Sequence, residues 1–446
     1  MKNVKRMKSW KKIRTTVIIG LISVLLTALL PSGRAEAESF YNDYYEDKLT
    51  GNVKEFRGVW IPYYDFEDSN HMSAEAFTAY VGEMFDTAVQ CELNAVMVHV
   101  RPYGDAMYKS SYFPWSYFAS GQQGVDPGYD PLKIMVAEAH ARGLEIHAWI
   151  NPYRVTSSWN YGTKVEKLSK KNQARKWLTN SKKSDDRYVL TYNGELYYNP
   201  SVPAVRKLIV NGVKEIVKNY DVDGIHFDDY FYPDLGSDYE TNFDAQEYET
   251  YKKKAQKAGD KVMPIYEWRM DNVNTLVKSV YKAVKAIDKN VVFGISPGGF
   301  IDYFDDKSSY YVDYRTWMSA DGYIDYICPQ LYWSFNSKNI FPYNETLNKW
   351  IAACTNENVR IYTGLPAYKM NSDNTVRGSL TDTEWYNQYL ISDMVRYMRK
   401  SGKASGFIIF DYDALVEAKN MDMVENLRNE ILDMPETKRE DDSPKG

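Results

Sequence analysis

The sequence predicts a (β/α)8 TIM barrel with long loop insertions after strands 3 and 4, and three observations carry that expectation. Eight short runs rich in Val, Ile and aromatic residues alternate with stretches that are amphipathic at helical period. Residues that start and stop helices fall between these runs. The first run and the last are separated by ~360 residues, a span such barrels reach when they carry insertions. A doubly wound sheet competes, but it needs no eighth strand, and no glycine-rich phosphate loop follows any run.

In chain order the strands are expected at Phe56–Ile61, Ala95–Val100, Glu145–Ile150, Gly224–Asp228, Val291–Ser296, Tyr323–Pro329, Arg360–Leu365 and Gly406–Asp411. The helical patterns are Ser73–Cys91, Pro203–Asn219, Asp271–Ile287, Asn344–Cys354 and Leu415–Leu432. A further helix starts at Asp130-Pro131, an N-cap followed by Pro at the first helical position, and Gly143 closes it. Thr381 and Glu384 have capping-box spacing, with Gly402 ending the helix they would begin. Two segments exceed ordinary loop lengths, Asn151–Pro200 and Pro233–Glu267, and are expected to build a site. The first holds a hairpin pattern, Tyr188–Thr191 and Glu195–Tyr198, around the turn pair Asn193-Gly194.

The barrel is expected over residues 53–434, after a lead-in at 38–52 and before a polar, disordered tail at 435–446. Residues 1–37 read as a secretory signal: a basic start, an apolar run from Thr15 to Leu30, then the small-residue site Ala35-Glu36-Ala37. An uncleaved anchor is the alternative, but sixteen positions are short for a membrane span. The expected location is therefore secreted or wall-associated, with no stable membrane anchor after cleavage. The 446 residues carry a formal net charge of −5, which excludes a basic field that gathers nucleic acid. Residues 1–37 hold 8 basic groups and 1 acidic, leaving 47 basic against 59 acidic in the remainder, or −12. Three cysteines without CxxC spacing give neither a disulfide framework nor a zinc knuckle. Aromatic residues are unusually frequent at 15%, with 39 Tyr and 11 Trp.

In such barrels chemistry sits at the carboxyl ends of the strands. Those ends here pair rings with carboxylates, amides or Arg. The carboxylates, amides and Arg expected there are Asp65, Arg101, Asp105, Asn151, Arg154, Gln330 and Asp411. The rings are Trp60, Tyr64, Tyr103, Trp149, Tyr153, Tyr230, Tyr232, Tyr332, Trp333 and Tyr368. Flat rings stack on sugar C–H faces, and planar polar groups take paired hydroxyls, so a carbohydrate cleft is expected with a polysaccharide as partner. The fourth strand is the sharpest signal. Alternation aims His226 and Asp228 into the mouth, and Asp229 leads the loop. Adjacent carboxylates push one pKa upward, the split that glycoside hydrolysis uses. One of the two could instead merely cap the loop.

Phe56–Trp60, His147–Arg154, Asp223–Pro233, Gly294–Gly298 and Pro329–Trp333 together resemble the glycosyl hydrolase-like 10 family, exported bacterial barrels with members that act on cell-wall glycan. Asp223–Asp228 is also similar to the fourth-strand motif of α-amylase-type barrels, whose last Asp is the nucleophile. Two departures matter: His226 replaces an Arg, and Ser296 stands at the tip of strand five where those enzymes place their acid. Tandem aspartates also resemble barrels that cleave N-acetylhexosaminides, where the first orients the acetamido group and the second protonates the leaving oxygen. Both mechanisms stay open here. In one, Asp228 is the nucleophile and the acid is Asp229, Asp65, Asp105 or Asp411; in the other, Asp228 positions the N-acetyl group and Asp229 is the acid. The pair Asp228 and Asp229 is the catalytic expectation in both.

His99, His147 and His226 lie on adjacent strands. They could hold zinc for a polysaccharide deacetylase, but without HExxH or His-x-His spacing a hydrogen-bonded layer orienting Asp228 and Arg101 is expected, with no metal and no cofactor. A catalytically silent carbohydrate-binding barrel is the remaining alternative.

Overall fold

The computed structural model describes residues 55–307, 310–336, 340–376 and 380–432. The signal-like segment, the lead-in and the tail lie outside the described residues. Eight parallel strands close into a barrel in the order β1-β8-β7-β6-β5-β4-β3-β2. They are β1 Phe56–Ile61, β2 Ala95–Arg101, β3 Glu145–Ile150, β4 Gly224–Asp228, β5 Val292–Ser296, β6 Tyr326–Ile327, β7 Arg360–Leu365 and β8 Gly406–Ile409. Strand β6 is shorter than the expected Tyr323–Pro329. Its flanks still bond β5, through Asp325 N to Phe293 O at 2.7 Å and Cys328 N to Ile295 O at 2.9 Å, until Pro329 removes a donor.

The crossovers carry α1 Ala74–Gln90, α2 Pro131–His140, α3 Pro203–Asn219, α4 Ile265–Ile287, α5 Tyr314–Trp317, α6 Tyr343–Ala353, α7 Leu390–Lys400 and α8 Met421–Leu432. Helix α1 is capped by Ser73 and α2 by Asp130, as their residue types predict. Two expectations need correcting. The pattern Leu415–Leu432 is broken, because the Asn420 amide bonds the Ala414 carbonyl at 3.0 Å and interrupts the helix ladder. Thr381 does not cap α7: it pairs in a short ladder with Thr375, and Asp382 caps the 3-10 turn Thr383–Tyr386 instead.

The insertion after β3 contains the hairpin Val189–Tyr192/Glu195–Tyr198, with Asn193 and Gly194 at φ 47° and 79°, the left-handed pair a two-residue turn demands. The insertion after β4 contains helix Ala245–Ala258, tied to α4 by a fully buried Arg269–Asp244 pair at 2.8 Å. Tyr232 also donates to Asp244, at 2.8 Å.

Two packed layers follow from strand alternation. One lies between sheet and helices; the other fills the bore with Phe56, Trp60, Met97, Trp149, Tyr326 and Tyr362 among others. Large rings fit in the bore because glycines face them. A Cβ on Gly294 would sit 2.2 Å from the Tyr326 ring, and one on Gly224 2.5 Å from His147. No helix among the described residues is long and apolar enough to cross a membrane.

Candidate active site

Strand β4 delivers the two aspartates to the mouth, where both side chains are buried. Asp228 lies beside β3. The Trp149 indole N–H donates to its Oδ2 at 3.3 Å and the Tyr230 amide to its Oδ1 at 3.4 Å. The Asn151 amide lies over both oxygens, and with its nitrogen toward them it donates to Oδ1 at 2.8 Å. Asp229 turns the other way, toward β5, and accepts the Gly298 amide at 2.7 Å. Burial, and then the neighbouring Asp229 charge, push the Asp228 carboxyl well above the ordinary carboxylate range. Burial raises Asp229 to about 6, with the Gly298 amide acting against it. Arg154 pulls Asp228 downward. Its guanidinium is held over the Tyr103 and Tyr230 rings at 5.3 and 5.1 Å, with Glu195 3.7 Å away.

The expected histidine layer is in fact two levels: His99 and His226 are in register with Trp149, and His147 lies one inward position lower, beside Met97 and Gly224. The hydrogen bonds of His226 and His147 run to Trp60, Tyr326 and Glu145, and not to Asp228 or Arg101. His99 stacks on Trp149 at 3.7 Å between centroids, and burial holds its pKa well below the usual value. The Trp60 N–H donates to His226 Nε2 at 3.0 Å, which leaves the His226 proton on Nδ1, 2.8 Å from the Tyr326 hydroxyl. That hydroxyl then donates to His147 Nδ1 at 3.1 Å, and His147 Nε2 faces Glu145 at 3.4 Å. One directed chain of hydrogen bonds therefore descends the bore from Trp60 to Glu145. Among the described residues no three His, Cys, Asp or Glu side chains are grouped to hold a metal ion.

A second cluster stands at the β6, β7, β8 and β1 ends. The Tyr64 hydroxyl donates to Asp411 at 2.7 Å, and Tyr332 and Tyr368 pack on Phe410. Burial raises the Asp411 carboxyl too. Trp333 packs against Phe341 on the loop after β6.

Several expected mouth residues lie elsewhere. The β2–β3 register slips by one residue between His99 and Arg101, so Arg101 pairs with the outward Ile150 and not with an inward neighbour. Its guanidinium packs on Phe113 at 4.6 Å, behind the sheet, and orients neither aspartate. Tyr153 and Tyr232 are fully buried core rings. Asp105 bonds Gln123 at 2.7 Å, and Asp65 lies beneath the loop that carries it, its carbonyl bonded by Tyr80. Gln330 ties loops together through the Ser296 carbonyl at 3.1 Å. Trp60 is only 2% exposed, so its faces are floor and cannot stack on a sugar.

Residues 55–385 match the family described as glycosyl hydrolase-like 10. The chain belongs to that family. Glycosyl hydrolase YngK of Bacillus subtilis (strain 168) is 38% identical over 72% of this chain, and the match spans 62% of that relative's length. Glycosyl hydrolase DigH of Escherichia coli (strain K12) is 31% identical over 76% of each chain. In fold the barrel is similar to the PgaB (BpsB) glycoside hydrolase domain from Bordetella bronchiseptica, at TM-score 0.52 and 15% identity over 84% of this chain and 98% of that one. Within this glycosyl hydrolase-like barrel, sequence reasoning missed Gly298 as a donor, although it lies in a motif already quoted. It also missed Trp159, whose signal was an indole among polar residues of the β3 insertion. Its ring is 55% exposed.

Proposed function

We propose that the chain is a glycoside hydrolase acting on an N-acetylhexosamine-containing polysaccharide, with peptidoglycan glycan strands the first substrate to test. The observation that carries this reading is the pair of buried, adjacent carboxyls with different partners: Asp228 held by Trp149 and Asn151, and Asp229 held by Gly298 with its pKa raised to about 6. A group titrating near 6 is suited to act as acid and then as base.

Ser296, not a carboxylate, stands beside Asp228 in register at the tip of β5, which favours a substrate-assisted route. An Asp228 oxygen accepts the acetamido N–H. The acetamido carbonyl oxygen bonds to C1 as the glycosidic C–O bond breaks, and Asp229 gives its proton to the departing oxygen. Water then adds at C1, returning a proton to Asp229 and freeing the acetamido group. Arg154, beside Asp228 and paired with Glu195, favours its ionised form. We further propose that residues 1–37 direct export and are removed.

The test is digestion of purified, peptide-stripped wall glycan, with the released sugars identified and a chelator-treated arm run in parallel. New reducing ends that survive metal removal and vanish in Asp229→Asn are expected. Release of acetate without new reducing ends would replace this reading with a deacetylase.

A further inference from the structure

Two sets of braced aromatic rings leave the aspartate pair on the β3 and β5 sides of β4, and each ends in an exposed residue. On the β3 side, Arg154 beside Asp228 lies over the Tyr103 ring, and the Tyr103 hydroxyl accepts the Trp159 N–H at 3.3 Å. Trp159 is nearly parallel to Tyr63, at 6.3 Å between centroids and 6° between planes, and remains 55% exposed. On the β5 side, Phe300 packs at Gly298, whose amide holds Asp229. Phe300 lies 6.5 Å from Tyr303, which is 53% exposed. Buried Phe341 backs both Tyr303, at 5.1 Å, and Trp333, at 4.8 Å. Strand β4 lies between β3 and β5 in the barrel, so the loops that carry Trp159 and Tyr303 leave from the strands on either side of the carboxyls.

Rings braced from behind lose little freedom when a sugar covers the open face, which is what a binding subsite needs. Resting on the glycoside hydrolase reading, we infer that the cleft holds a glycan strand on both sides of the scissile bond and cuts it internally. Trp159 anchors one arm of the strand, and Tyr303 with Trp333 anchors the other.

The test uses the full chain and an end-labelled octasaccharide prepared from peptide-stripped wall glycan. Wild-type protein is expected to release labelled fragments of intermediate length from the first time points. Trp159→Ala and Tyr303→Ala are expected to shift the preferred cut in opposite directions along the octasaccharide. As a readout separate from turnover, Asp229→Asn is expected to bind the octasaccharide at least tenfold more tightly than a tetrasaccharide from the same source. Stepwise release of terminal sugars by wild type would overturn the internal cut while leaving the hydrolase reading intact. Equal binding of the two lengths, or cut sites unmoved in both variants, would overturn the two-armed cleft. Wild-type protein that cleaves no glycan overturns the hydrolase reading itself.

Discussion

Asp229 holds its proton to about pH 6, against 3.8 for an unperturbed aspartate, and two measurable consequences follow. The first concerns rate. An acid that must be protonated loses activity once the pH exceeds its pKa, so kcat should fall about tenfold per unit above pH ~6. Asp229→Asn should lower kcat by roughly three orders of magnitude or more and remove that limb from the pH profile. The second concerns stability. Between 3.8 and about 6 the folded state binds more protons at Asp229 than the unfolded state, so stability falls as pH rises through that window. A shift of that size corresponds to on the order of 3 kcal/mol above both values. Asp229→Asn should therefore raise the melting temperature at pH 7.5 and leave it nearly unchanged at pH 4. A variant that is less stable than wild type at pH 7.5 would show that the carboxylate is held by more than the Gly298 amide.

Strands and helices explain which site residues were legible in the sequence. His226 and Asp228 follow strand alternation, and the structure places them on the inner face as that rule requires, against the bore residues Trp60, Tyr326 and Trp149. Arg101 obeys the same rule on paper but not in the barrel, because a single slipped residue after His99 turns it behind the sheet. A bulge leaves no mark in period-2 patterning, so no amount of counting finds it. The elements also set how the site is supported. The Tyr326 hydroxyl accepts the His226 Nδ1–H and donates to His147 Nδ1. Tyr326→Phe should leave two buried ring nitrogens without partners, lowering stability in urea unfolding by about 2–4 kcal/mol. The Arg269–Asp244 pair braces the β4 insertion with both side chains fully buried. Arg269→Met strands a buried carboxylate and should cost about 3–5 kcal/mol, while leaving a folded barrel whose β4 insertion is cut faster by protease.

For the molecule as a whole, the eight-strand count was readable from end to end, since each run of β-branched and aromatic residues became a barrel strand. Loops were the less legible part. Gly298 acts through its backbone, and Trp159 and Tyr303 stand on the loops after β3 and β5, so neither periodicity nor spacing reports them. The charge bookkeeping belongs to this scale too. On the proposed removal of residues 1–37 the net charge would go from −5 to −12, so binding of any anionic polymer would depend on local groups such as Arg154. N-terminal sequencing of the chain recovered outside the producing cells should read Glu38-Ser39-Phe40, with melting behaviour matching that of a chain expressed from residue 38. An intact residue 1 on exported protein would disprove removal of the segment.

Trp149 gives the barrel an internal optical probe. Its indole stacks on His99 and donates to Asp228, so its emission responds to any change in the charge or hydrogen bonding of that carboxyl. Fluorescence difference spectra against Trp149→Phe should isolate this one indole from the others. They would record occupation of the cleft without a label and without turnover.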